Sequence, residues 1–468
     1  MRPLRAASVA LLAALAVTAC KDRAAETAAA TATATATATA GPAAATPVPA
    51  TEALSFEQAR ALAQQRGQPL IVDFHAPWCY SCYYMASHVL TGPQWEAVEA
   101  RSVVVEVDAD SPEGAALKEQ HGIKALPSYL VLDAQGQELG RILGEQTRSD
   151  FYAALEGLLA RSGGVATLAT QVVDGSDASL QAARAVLQSY HARYDTEGAQ
   201  AWLQRLPAPA QTAVKADAAS AAWLARLQFL QAAKGEDRAA CLTQGEAVLR
   251  LELGCERSYE LSRYMDCAAT AADRVPRLQA QRAAIEQLVE SRVFGEPRCA
   301  DERSAILSAS ELQGAVGDRA AQQALLERAI DRSAERLDGD LTTDRNQSDN
   351  LRVYMDQLAG VTGDHAAIDA LMLQLVEAYP EDYVYAFRHG RSLLARGKAA
   401  EALPFLERAA QRAYGINRIK VAEQRAQALL ALDRAADARR VVAETLKANG
   451  PWFAAEAAAL KAMLPPSG

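Results

Sequence analysis

Trp78-Cys79-Tyr80-Ser81-Cys82 constrains this chain more than any other stretch. It follows an apolar, strand-like run, Pro69-Leu70-Ile71-Val72-Asp73-Phe74, and precedes residues Tyr83 to Leu90, which can form a helix. Two cysteines one turn apart at a strand-to-helix junction form a dithiol that can close into a disulfide and reopen. At the first turn of a helix, unpaired N–H groups and the macrodipole favour negative charge. A Cys79 thiolate there is stabilised, and its pKa falls below about 8.5. Cys79 is therefore expected to be exposed and to attack, with Cys82 shielded beneath it as the resolving thiol. A C-x-x-C also serves as half of a zinc site, but zinc takes four ligands, usually with a second close pair. The other cysteines lie far apart, and the six histidines form no ligand-spaced pair.

The segment Asp73-Phe74-His75-Ala76-Pro77-Trp78-Cys79-Tyr80-Ser81-Cys82 resembles the active-site segment of the thioredoxin superfamily. Gly122-Ile123-Lys124-Ala125-Leu126-Pro127-Ser128 resembles its second hallmark, in which the proline is cis and faces the dithiol. The resemblance covers Leu54 to about Ala160. It implies that Leu126 and Pro127 hold a substrate strand through the backbone, and that Trp78 offers a flat apolar contact. It also implies that Asp73 is a buried carboxylate able to exchange a proton with the resolving thiol. One departure is visible. Thioredoxins usually carry a lysine near this aspartate on the adjacent strand, where this chain has Val103, Val104 and Val105. Within the superfamily, Leu126-Pro127-Ser128 and the segment Thr91-Gly92-Pro93-Gln94-Trp95 look most like the C-terminal periplasmic domain of DsbD and its thioredoxin-like lipoprotein relatives.

Residues 1–19 read as a signal segment, with Arg2 and Arg5 before an apolar core too short to span a bilayer. Val17-Thr18-Ala19-Cys20 resembles the bacterial lipobox, which makes Cys20 a lipidation site. Lys21 after it, by resemblance to bacterial sorting, favours the outer membrane. Residues 20–52 are Ala/Thr-rich with scattered prolines and almost no large apolar side chain, which reads as a disordered tether of roughly 30 Å average span. Residues 53–162 then give the order of a thioredoxin fold. Ser55 caps a helix to Arg66; strands follow at Pro69–Phe74 and Ser102–Asp108; Pro112–Gln120 is a helix. Pro127–Asp133 and Glu138–Leu143 form a hairpin, and Thr147–Ala160 is a closing helix.

From about Arg161 the strand signals vanish, and residues 163–464 read as all-helical. Gly390–Ala409 resembles a tetratricopeptide unit, and Ala426–Ala438 recurs in the same register, so tetratricopeptide-like repeats are expected over about 347–449. The fold class is thus an α/β thioredoxin fold followed by an all-α helical-repeat domain. Seven cysteines are present, and four remain after Cys20, Cys79 and Cys82. In an exported protein these suggest structural disulfides; the alternative is buried free thiols. Reading Glu236–Leu253 and Ser258–Ala271 as an antiparallel hairpin places Cys241 opposite Cys267, symmetric about Gly254. A Cys241–Cys255 bond would have to cross roughly 20 Å along one helix, far beyond the Cα separation of about 5.5 Å that a disulfide tolerates. A third helix, Arg277–Val293, returns to the turn end. The expected pairs are Cys241–Cys267 and Cys255–Cys299.

The net charge of −9 without a basic block argues against nucleic acid as a partner. The expected function is a lipid-anchored cell-envelope thiol–disulfide oxidoreductase, acting as a reductase of protein disulfides and needing neither metal nor organic cofactor. A reductase in an oxidising compartment requires electrons from a membrane carrier, here one of the DsbD type. The alternative is a tetratricopeptide-like adaptor that binds an envelope partner on its helical repeats, with the dithiol minor or regulatory.

Overall fold

The computed structural model describes residues 54–464. The signal segment, Cys20 and the tether lie outside the described residues. Ser55 starts the first helix, Phe56–Arg66, with a reciprocal capping box to Gln58, and Gly67 ends it at φ 64°. The strands are β1 (Leu70–His75), β2 (Val103–Asp108), β3 (Ser128–Leu132) and β4 (Glu138–Leu143). They form one sheet in the order β2-β1-β3-β4. β1 runs parallel to β2 and antiparallel to β3, and β3–β4 is a hairpin.

The apolar run of β1 follows from its central place, since both of its faces are covered. Leu70, Val72 and Phe74 face a core with Phe56, Val105 and Leu130. Ile71 faces the opposite core, with Met85, Val89, Tyr129, Phe151 and Leu155. Side chains alternate along a strand, so Asp73 lies on the Ile71 face, the face covered by the helix that follows the cysteines. That helix is α-helical over Tyr80–Tyr84 and π-helical over Met85–Val89, so it starts three residues before the segment expected from sequence. Gly92–Glu99, Pro112–His121 and Arg148–Leu159 complete this part.

The rest of the described chain is helical, from Val165–Gln171 to Ala454–Ala462. Six of its starts share a device: Asp195, Asp217, Asp237, Asp301, Asp318 and Asp344 each accept a backbone N–H of the first turn. Val384–Ala395 pairs with Ala399–Ala410, and Gly415–Ala431 with Ala435–Asn449. Each hairpin turns on one left-handed residue, Gly397 (φ 78°) in the first and Asp433 (φ 59°) in the second, so the repeated sequence gives a repeated turn. At the first crossing Gly390 lets Leu406 approach closely; a Cβ there would stand 2.7 Å from Leu406 Cγ.

Disulfides join Cys241 to Cys267 and Cys255 to Cys299, with Cα separations of 5.9 and 5.6 Å. The first links Arg238–Leu249 to Arg257–Ala268, both shorter than the helices read from sequence. Asp237 caps the start, and a 3-10 turn at Gly254–Glu256 with Gly254 at φ 52° widens the connection. Among the described residues no helix is long and apolar enough to cross a membrane. The sheet and the helices that follow it belong to one compact unit.

Candidate active site

Cys79 is the N-cap of Tyr80–Tyr84, and its Sγ accepts the Cys82 N–H at 3.2 Å. The sulfur therefore occupies the place where the helix offers an unpaired donor and positive potential. Cys79 and Cys82 are joined as a disulfide with a Cα separation of 5.2 Å. Ala76 and Leu126 pack against the pair. The expectation of an exposed Cys79 above a shielded Cys82 is corrected here: Cys79 is 4% exposed and Cys82 8%. The physical reason is that the loop carrying Cys79 is covered rather than open at the surface, as the contacts below show.

The Leu126-Pro127 bond is cis. Among the described residues neither the N–H nor the C=O of Leu126 has a hydrogen-bond partner. A partly exposed main chain with free donor and acceptor lies beside the two sulfurs. Trp78 is 37% exposed, and its Nε1 donates to Asp110 Oδ2 at 2.5 Å. The ring is thus fixed at one edge while part of it stays open to solvent.

Asp73 is 9% exposed, and its Oδ1 has no partner among the described residues. Burial pushes its carboxyl up to about 8, and the nearby Glu106 carboxylate adds to the shift. Glu106 is the direct partner of Asp73 on β2, so an acid, and none of the valines Val103, Val104 and Val105, stands opposite it. A carboxyl pushed this far up by burial can change its protonation near neutral pH.

A second buried carboxyl was not singled out from the sequence. Glu145, just after β4, is 7% exposed and has one oxygen unpartnered among the described residues. Burial raises its pKa well above the usual range and Asp301 adds to this, while a hydrogen bond with Ser81 and the charge of Arg303 oppose it. Ser81 lies between the two cysteines, so Glu145 lies close to the redox loop. No local signal marks it: a lone glutamate in a glycine-containing turn is ordinarily solvated, and its neighbours Asp301 and Arg303 arrive from far along the chain.

These neighbours belong to the helical region, which grips the redox loop. The Arg303 guanidinium lies 3.4 Å from the centroid of the Tyr80 ring. Tyr80 Oη donates to Asp301 Oδ2 at 3.4 Å, and Tyr259 Oη donates to the same oxygen at 2.7 Å. Burial first, then Asp301, pushes the Tyr80 phenol up to about 12. Arg388 Nη2 donates to the Trp78 carbonyl at 2.9 Å, and Asn346 Nδ2 to the Tyr80 carbonyl at 3.0 Å. On the far side of Trp78, Asp110 Oδ2 also accepts Asn417 Nδ2 at 2.9 Å. Arg303 and Arg388 are in turn held by Asp349.

A family model described as a thioredoxin-like domain matches residues 56–158. Over 102 residues the chain is 33% identical to the thiol:disulfide interchange protein DsbD of Yersinia enterocolitica, covering 21% of this chain and 18% of that protein. The DsbD of Salmonella typhi is 33% identical over 100 residues, covering 20% and 18%. That of Neisseria meningitidis is 33% identical over 96 residues, covering 20% and 16%. The chain thus spans less than a fifth of the length of these curated relatives. Among solved structures, a thioredoxin from Thermus thermophilus matches at 33% identity, over 23% of this chain and 86% of that one, with a TM-score of 0.22. A DsbH oxidoreductase matches at 20% identity over 24% and 85%, with a TM-score of 0.21. Residues 56–158 are therefore a thioredoxin-like domain, followed by a helix-rich region.

Proposed function

We propose that the chain is a thiol–disulfide oxidoreductase working through Cys79 and Cys82. The observation that carries this is the closed Cys79–Cys82 pair at a helix start, with Leu126 packed against it. In the reduced protein the Cys79 thiolate attacks one sulfur of a substrate disulfide, and the other substrate sulfur leaves as a thiolate. Cys82 gives up its proton, attacks Cys79 Sγ, and releases the second substrate thiolate. Two electrons pass from the dithiol to the substrate, and the Cys79–Cys82 bond closes. Asp73 is proposed as the group that exchanges a proton with the Cys82 thiol. Trp78, Leu126 and Pro127 are proposed as the substrate-binding surface; the free backbone of Leu126 supports strand-like pairing.

The direction of exchange is read as reduction, with electrons from a membrane donor of the DsbD type and protein disulfides as substrates. The relatives' name, thiol:disulfide interchange protein, supports disulfide exchange as the chemistry. We place the protein in a bacterial cell envelope, facing the periplasm and held by lipid on Cys20, with the outer membrane favoured. Cys241–Cys267 and Cys255–Cys299 are read as structural disulfides of an oxidising compartment. The helical region is read as tetratricopeptide-like over about 347–449. Its grip on the redox loop favours a joint role with the dithiol over a separate adaptor role.

The test is a single-turnover reaction. Pre-reduced protein is mixed with a short peptide bearing one internal disulfide, and thiol release is followed. One peptide disulfide should be reduced per protein, and Cys79→Ser should fall to background. Full activity in Cys79→Ser would remove the assignment.

A further inference from the structure

The two carbonyls flanking Cys79 are both held by side chains from the helical region. Arg388 takes that of Trp78, and Asn346 takes that of Tyr80. Tyr80 itself lies under Arg303. On the other flank Asp110, 4% exposed, joins Trp78 to Asn417 through one carboxylate oxygen. The Asp110 carbonyl also accepts the Ile416 N–H at 3.1 Å, and Gly415, at φ 51°, fits against it so closely that a Cβ would stand 2.1 Å from that oxygen. Helical segments distant in sequence thus hold the redox loop on both sides. The elements next to the sulfurs that these contacts leave free are the exposed part of Trp78 and the backbone of Leu126, unpaired among the described residues.

We infer that the helical region sets substrate choice at the dithiol: it admits a disulfide carried on a narrow, extended polypeptide segment and turns away one on the surface of a folded domain. The inference rests on the oxidoreductase reading. An extended segment can lie along Leu126 with its sulfur over Cys79, because it needs only the width of one strand. A folded surface must bring its flanking structure over Tyr80 and Asp110, where Arg303, Arg388 and Asn417 already sit. Asn346, Arg388 and Asn417 act through the cover they hold and do not touch the reacting sulfurs.

The experiment uses the pre-reduced full chain and two oxidised probes. One is a short linear peptide with an internal disulfide; the other is a stably folded domain that displays the same disulfide segment on its surface. The wild type should reduce the peptide much faster. Asn417→Ala should raise the rate on the folded probe by up to about tenfold, the net worth of one hydrogen bond, and leave the peptide rate unchanged. Gly415→Ala, which forces the same contact apart by crowding, should act in the same direction. Retention of the peptide rate shows that each variant is folded. Equal wild-type rates on the two probes would overturn the inference, and so would a preference that neither variant narrows, since it would then belong to the thioredoxin-like domain alone. Should either variant fail to fold, Asn346→Ala, which frees the Tyr80 carbonyl, takes its place and is read in the same way. No reaction with the peptide would overturn the oxidoreductase reading itself, and this inference with it.

Discussion

Asp73 in the sheet and Asp349 in the helical region are both buried, at 9% and 0% exposure, and their charges are treated in opposite ways. Asp73 has an oxygen without a partner among the described residues, and burial, with Glu106 adding, lifts its carboxyl to about 8. Asp349 meets the same burial, which alone would raise it. The guanidinium groups of Arg352, Arg303 and Arg388 overcome this and hold it far below the usual carboxylate range. Arg303 and Arg352 bond it at 2.9 and 2.7 Å, and Arg388 bonds it as well. Desolvation is common to both, so the partners decide. The sheet keeps a carboxyl that can change its protonation, on the face covered by the helix that starts at the dithiol. The helical region keeps a fixed charge that organises the arginines reaching Tyr80 and Trp78.

The largest effect expected from this contrast is at Asp349. Asp349→Ala would leave three arginines around an empty buried site, and loss of one partner of a buried ion pair costs about 3–5 kcal/mol. Urea unfolding at neutral pH should show a loss of that size. Because the folded pKa is depressed, the stabilisation is present above the unfolded value of 3.8 and disappears as pH falls through the folded one. Wild type and variant should therefore converge only in strong acid. A neutral-pH loss under about 1 kcal/mol would mean that the arginines do not depend on this carboxylate.

A smaller effect of opposite sign is expected at Asp73. Its folded pKa is raised, so the native state is favoured below the unfolded value of 3.8, where both states are protonated, and loses stability as pH rises towards about 8. Asp73→Asn removes that penalty but leaves a buried amide without full partners, so the gain should be about 1–3 kcal/mol at pH 9 and vanish near pH 4. The same variant should slow closure of the Cys79–Cys82 bond and remove the inflection near pH 8 from its rate profile. Unchanged stability at pH 9, with an unchanged profile, would show Asp73 to be solvated and outside the proton path.

Local patterning made most of the sheet domain legible. β1 is an apolar run and β2 a β-branched one, Ser55 and Gly67 bracket the first helix, and Cys79 caps the helix that follows it. The opposition of Cys241 and Cys267 follows from helix geometry about one turn, and it tolerates helix ends that differ by several residues. The cover over the dithiol was not legible. It depends on Arg303, Asn346, Arg388 and Asn417, single polar residues on amphipathic helices, where the pattern gives only a solvated face. Their function comes from how four helices are arranged against one loop. Glu145 was missed for the same reason, and the expected exposure of Cys79 failed with it.

The central claim, that Cys79 attacks and Cys82 resolves, is tested most directly by trapping. Pre-reduced Cys82→Ser protein is mixed with the oxidised peptide, quenched in acid and digested without reduction, and the adduct is mapped by mass spectrometry. One peptide per protein is expected, linked to Cys79, with Cys241–Cys267 and Cys255–Cys299 intact. No adduct, or an adduct on one of those four cysteines and none on Cys79, would contradict it.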